Sequence, residues 1–139
     1  MSCSNSVLVG MSPPWLGRSD LRHRDDPIPG ACRATPLVLP TLVITEVAYL
    51  IGTRLGWQAE VRFLGDLGGG SFPVEPLHAS DPVRIAELVA EYRDLPLGTV
   101  DASVIATAER LVATEVATLD RRHFSVVRPR HEVAFQLLP

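Results

Sequence analysis

Short apolar runs alternate with helical segments along most of this chain, and that alternation narrows its fold more than any other feature. Residues 6–11 (SVLVGM) suit a short buried strand. Leu37-Val38-Leu39 is brief, apolar and bounded by prolines. It leads into a helical segment from Thr41 to about Leu55, with Thr41 as the expected N-cap and Gly56 as the stop. A second helix is expected from Trp57 to Leu67, ended by Gly68-Gly69-Gly70. Ser71–Leu77 reads as a strand that Pro73 confines to a sheet edge or a strand start. Asp81-Pro82 opens a third helix, with Asp81 as the expected cap and proline at the first helical position. That helix sets Ile85, Leu88, Val89 and Tyr92 on one face and Arg84, Glu87, Glu91 and Asp94 on the other, the pattern of a helix lying on a sheet. Thr99–Ala113 is a further helix, small and apolar on most sides. Val116–Leu119, Ser125–Val127 and Val133–Leu138 are expected strands. This order predicts an α/β domain with a mainly parallel sheet covered on both faces.

Size and charge limit the rest. At 139 residues, without internal repeats or a low-complexity linker, the chain is expected to form a single domain over 1–139. Residues 1–35 are its atypical part, because Ser12–Thr35 is rich in Pro, Arg and Asp and has little periodicity. The net charge of -3 excludes a global positive field, so any binding of a polyanion has to come from a local basic patch or from a metal. All 13 basic residues are arginine. That is read first as coding bias, and only second as a preference for guanidinium–phosphate contacts. Cys3 and Cys32 lack metal-ligand spacing, which points to a reducing, cytoplasmic setting. No run approaches the roughly 20 apolar residues of a membrane span.

Three acids stand out by their surroundings. Glu46 is the only acid in a segment, TLVITEVAYLIGTRL, that is apolar on nearly every face. An ionised carboxylate there needs a partner, a hydrogen bond or a metal, unless it points to solvent or pairs with Arg54. Asp101 lies in the first turn of an otherwise apolar helix; the macrodipole alone accounts for an acid there, and so does a site wall. Asp120 directly follows the Val116–Leu119 strand, where ligand crevices of open α/β sheets lie, although Asp also begins turns well. The run beyond it contains Arg121, Arg122, His123, Arg128, Arg130 and His131 and no acid until Glu132. It is the one clear basic stretch and adjoins a candidate metal ligand, or it is simply a solvated face. If the three acids converge, an oxygen-only cluster selects a hard cation, Mg²⁺ or Mn²⁺. The sequence holds no GxSxG, no P-loop and no GxGxxG after a strand. His23, His78, His123 and His131 lack the paired spacing of a zinc site.

The segments PLVLPTLVITEVAYLIGTRLG, EYRDLPLGTVDASVIATAERL and VATLDRRHFSVVRPR resemble a VapC-type PIN-domain toxin over about Pro36 to Pro139. The resemblance implies a three-layer α/β/α sandwich that hydrolyses RNA phosphodiesters with Mg²⁺ or Mn²⁺. It also implies a homodimer held inactive by a cognate VapB-type antitoxin. Glu46, Asp101 and Asp120 match the family's second, third and fourth acidic positions, which makes them the implied metal ligands and catalytic carboxylates. At the first position the family carries an aspartate, and the best match, Ser4-Asn5-Ser6-Val7-Leu8-Val9, has Ser4 there. An altered N-terminus that has lost one ligand, or substitution by Asp20, Asp25 or Asp26, are the two explanations. A catalytically impaired PIN-like module that still binds an antitoxin or RNA is the alternative function.

Overall fold

The computed structural model describes residues 6–8, 37–95, 97–118 and 121–138, the first three as backbone only. Strands β1 (Ser6–Leu8), β2 (Leu37–Pro40), β3 (Val74–Glu75), β4 (Glu115–Ala117) and β5 (Gln136–Leu138) pair in parallel, in the order β3-β2-β1-β4-β5. Helices α1 (Thr41–Leu55), α2 (Trp57–Gly68), α3 (Asp81–Glu91) and α4 (Thr99–Leu111) and the short α5 (Arg121–Phe124) alternate with them. The expected parallel α/β order is therefore present. Its strand order reverses at β1, with β2 and β3 on one side and β4 and β5 on the other. Leu8 lies opposite Ala117, so the carboxyl ends of β1 and β4 share one edge, and such a reversal opens a crevice there.

Several local expectations shift, each for an identifiable reason. Helix α1 begins at Thr41 itself, and Pro40 takes the cap position without a side-chain hydrogen bond. The Thr41 hydroxyl instead donates to the Glu75 carbonyl at 2.8 Å, pinning the start of α1 to β3. Likewise Asp81 is the first residue of α3 and Ser80 its cap. The Asp81 carboxylate is buried because it accepts the His78 backbone N–H at 2.9 Å and Arg110 Nε, from α4, at 3.2 Å. The strand expected at Ser125–Val127 is not formed. Arg121–Phe124 is helical, and the chain turns onward with Val127 N–H donating to the His123 carbonyl. Phe124 and Val127 are both buried, and their three-residue spacing puts them on one side of such a turn. At the last strand, only Gln136–Leu138 pairs, while Val133 stays exposed. Ser71–Leu77 contracts to Val74–Glu75 at the sheet edge, which suits the neighbouring prolines.

Helix α4 is the centre of the core. Its residues from Asp101 to Ala108 are all buried, and it touches β1, β2, α1 and α3. The small side chains of Ala102, Ala106 and Ala108 suit that enclosure. Ser103 satisfies its hydroxyl on the Val100 carbonyl at 2.6 Å. Leu39, Val43, Leu88, Val104, Ile105, Val116, Phe124 and Val127 complete one continuous apolar cluster around it. Each such side chain contributes about 1.5–3 kcal/mol by leaving water. By contrast α2 buries no residue. Gly56, at φ 88°, turns the chain back so that α2 lies along α1, leaving Trp57, Val61 and Leu64 exposed on one helical face. No helix among the described residues is long and apolar enough to cross a membrane.

Ion pairs tie α3 to α4. Arg84 Nε donates to Glu109 Oε2 at 2.7 Å and Nη2 to Oε1 at 2.9 Å, a two-pronged contact. Arg110 reaches Glu75 at 2.6 Å as well as Asp81. Burial pushes the Glu109 carboxyl up, but the hydrogen bonds from Arg84 and from the Arg130 backbone outweigh it and hold the group below the ordinary carboxylate range. The stabilisation from Glu109 is therefore complete above its unfolded-chain value and fades as pH falls through the lower folded value. Glu109→Gln is expected to cost about 1–3 kcal/mol at neutral pH. The gap between the two proteins in urea-unfolding midpoint should close on acidification below about pH 4.5, the ordinary value for this group.

Candidate active site

Two of the three singled-out acids come from helices at the carboxyl edge of the sheet, near enough for one to feel the other's charge. Helix α1 starts directly where β2 ends, which sets Glu46 in its second turn, half-buried. Helix α4 enters β4 through residues 112–114, a reversal helped by Val112 in the left-handed region at φ 54°. Its N-terminus therefore starts at the same edge, carrying Asp101, which is 4% exposed. The Glu46 carboxyl is held above its ordinary range, first by burial and second by the negative charge of Asp101. Both effects disfavour an ionised pair. Helix α4 offsets part of the cost through its N-terminal dipole, worth about 0.3–1 kcal/mol to an acid in its first turn. A cation between the carboxylates would offset much more.

Asp101 has a partner that sequence reasoning assigned elsewhere. His123 Nδ1 lies 2.9 Å from Asp101 Oδ2, and both side chains are largely buried. Helix α5 places the imidazole there because the neighbouring Phe124 is sunk in the core. The run RRHF suggested a basic strip with all three polar side chains facing RNA. One helical turn instead sends His123 inward and leaves Arg121 and Arg122 exposed.

The rest of the basic stretch is partly committed to the protein. Arg121 donates to the Leu137 carbonyl at 3.1 Å and Arg128 to the Ser125 carbonyl at 3.4 Å, both from exposed positions. Arg130 pairs with Glu87 at 2.6 Å, and its backbone N–H serves Glu109. His131 Nε2 meets the Ala113 carbonyl at 2.7 Å. A cleft lined by Arg84, Glu87, Glu109, Arg110, Arg130 and His131 lies along the α3–α4 ion pairs. Its charges are matched within it.

Ser4, Asp20, Asp25, Asp26 and Asp120 lie outside the described residues. In the chain Ser4 precedes β1, whereas Val9 leads on from its carboxyl end at Leu8. Among the described residues no group of three His, Cys, Asp or Glu side chains is spaced to hold a metal ion. Glu46 and Asp101 supply two anionic oxygen donors, a set that fits Mg²⁺ or Mn²⁺ better than a softer metal.

The parallel α/β order thus brings an acid from each of two helices to the carboxyl edge of the sheet, where ligand crevices of such folds lie. The family profile of the PIN domain matches residues 20–128. Ribonuclease VapC26 of Mycobacterium tuberculosis (strain ATCC 25618 / H37Rv) is 36% identical over 106 residues, covering 76% of this chain and 78% of that protein. The chain belongs to the PIN-domain family, and its likeness within that family is to a VapC toxin.

Proposed function

We propose that this protein is the toxin of a toxin–antitoxin pair, an endoribonuclease that hydrolyses RNA phosphodiester bonds with Mg²⁺ or Mn²⁺. The observation that carries the reading is the juxtaposition of Glu46 and Asp101. Neither burial nor mutual repulsion favours keeping two carboxylates together at the crevice, and cation binding gives them a purpose. Likeness to VapC26, a ribonuclease by name, supports RNA as the substrate. Glu46 and Asp101 would hold the cation, with Asp120, at the end of the segment after β4, as the third donor. When bound, such a cation supplies an acidified water and offsets charge developing on the phosphodiester.

The chain's own groups do the remaining work. Arg121 and Arg122, exposed on α5 beside the carboxylates, attract and orient the RNA backbone, with Arg128 further along. Arg130 contributes less, because Glu87 already neutralises it. A cognate antitoxin and a second copy of the chain are the proposed protein partners. The exposed apolar row on α2 supports the existence of a protein-covered surface.

Chelation tests the reading. Cleavage of RNA by the purified protein is expected to fall to background in EDTA and to return on adding excess Mg²⁺ or Mn²⁺, followed by gel assay. Cleavage that persists unchanged in the chelator would refute metal dependence. One observation favours a second reading, a PIN-like binding module with impaired cleavage. Ser4 stands where the resemblance places the first acidic ligand, so the chain lacks an aspartate at that position of the family pattern. Absence of saturable Mn²⁺ uptake at millimolar concentration, together with intact RNA or antitoxin binding, would select that reading.

A further inference from the structure

We infer that His123 is a positioning residue, whose Nδ1–H holds the Asp101 carboxylate in the orientation that receives the cation. The inference rests on the reading of Asp101 as a cation ligand and deepens it. His123 Nδ1 and Asp101 Oδ2 are 2.9 Å apart, with the side chains 12% and 5% exposed. At that distance and burial the hydrogen bond is shielded from competing water. A carboxylate beside another carboxylate tends to rotate away from it, and Asp101 feels Glu46. A fixed donor opposes that rotation and commits Oδ2, leaving the group to present its remaining coordination capacity in one direction. The donor is itself held. Phe124 is 1% exposed in the core, and the His123 carbonyl accepts the backbone N–H of Val127 at 3.1 Å. Hydrogen-bonded outer partners of this kind orient the ligands of metal sites. The same geometry gives His123 a role apart from the RNA-contacting strip: its Nδ1 is engaged by Asp101 and its side chain is largely buried, whereas Arg121 and Arg122 are exposed.

The test is Mn²⁺ affinity measured by calorimetry on the full chain, with circular dichroism to establish folding. His123→Phe keeps a ring and removes the donor; His123→Asn restores an N–H near the Nδ1 position. Relative to wild type, His123→Phe is expected to weaken Mn²⁺ binding about tenfold or more, and His123→Asn to stay within about threefold. In an Asp101→Asn background, His123→Phe should have little further effect on Mn²⁺ affinity, because the anionic ligand that His123 orients is already gone. A readout without any substitution is the imidazole ¹⁵N spectrum of the wild type. It should report a proton on Nδ1, and the His123 signals should shift on saturation with Mg²⁺.

Wild-type Mn²⁺ affinity in His123→Phe would overturn the assignment, and so would equal losses in the Phe and Asn variants. Should His123→Phe not fold, His123 nitrogen signals unmoved by Mg²⁺ would overturn it. Loss of RNA affinity with metal affinity intact would return His123 to the RNA interface. If the wild type itself takes up no Mn²⁺, the ligand reading of Glu46 and Asp101 fails first, and the role of His123 at the metal falls with it.

Discussion

Asp101→Asn is expected to lower RNA cleavage by at least about a hundredfold, the upper end of what even an outer partner of a metal ligand is worth. The same substitution should leave thermal stability unchanged or slightly raised. Asparagine is nearly isosteric with aspartate, and its side-chain carbonyl can still accept from His123 Nδ1, so packing around α4 is preserved. What disappears is a buried negative charge and its repulsion of Glu46. Loss of activity with no loss of stability is the pattern of a group retained for chemistry at a cost to the fold. Cleavage rates and unfolding midpoints of the two proteins, measured in the same Mg²⁺ buffer, check both halves. Equal cleavage rates would remove Asp101 from the metal site. A large drop in stability alone would make it a structural acid.

Phe124→Ala should be among the most damaging core changes, at about 3–5 kcal/mol. That is a large part of the 5–15 kcal/mol or so by which a domain of this kind is stable. It corresponds to a fall in Tm on the order of 10 °C. Phe124 is 1% exposed, and α5 is only four residues long, too short to hold itself together without that anchor. Removing the ring leaves a cavity against α4 and β4 residues of the same cluster and frees the turn that carries His123. Phe124→Leu, which refills most of the volume, should fall between wild type and alanine. A urea titration of the three proteins gives the order directly. A midpoint for Phe124→Ala within error of wild type would mean that α5 is held by something other than its buried side chain.

The chain illustrates how unevenly a fold is written into local pattern. Helices α1 and α2 are legible nearly to the residue and α3 at its start, because periodicity and the Gly56 stop act within a few residues of themselves. The bonding of their first turns is less so. Thr41 and Asp81 looked like caps, but Glu75 and Arg110, each far away in sequence, draw their side chains into other bonds. Ser125–Val127, expected as a strand, follows α5 as a turn, and the buried residues that hold it there are Phe124 and Val127. Three residues of mixed character do not distinguish a turn from a strand until the core claims both.

The sequence by itself determined the alternation of elements and the parallel sheet, and it drew attention to Glu46 and Asp101. An acid isolated in an apolar helix is visible without coordinates, since burial of that helix follows from its own composition. The tertiary structure alone decided that Glu46 lies within reach of the Asp101 charge, that His123 turns inward to Asp101, and that Arg130 and His131 are engaged with the protein. The physical reason is common to all three. Each is a contact between residues distant in sequence, set by how separate elements pack, and spacing along a single element carries no record of it.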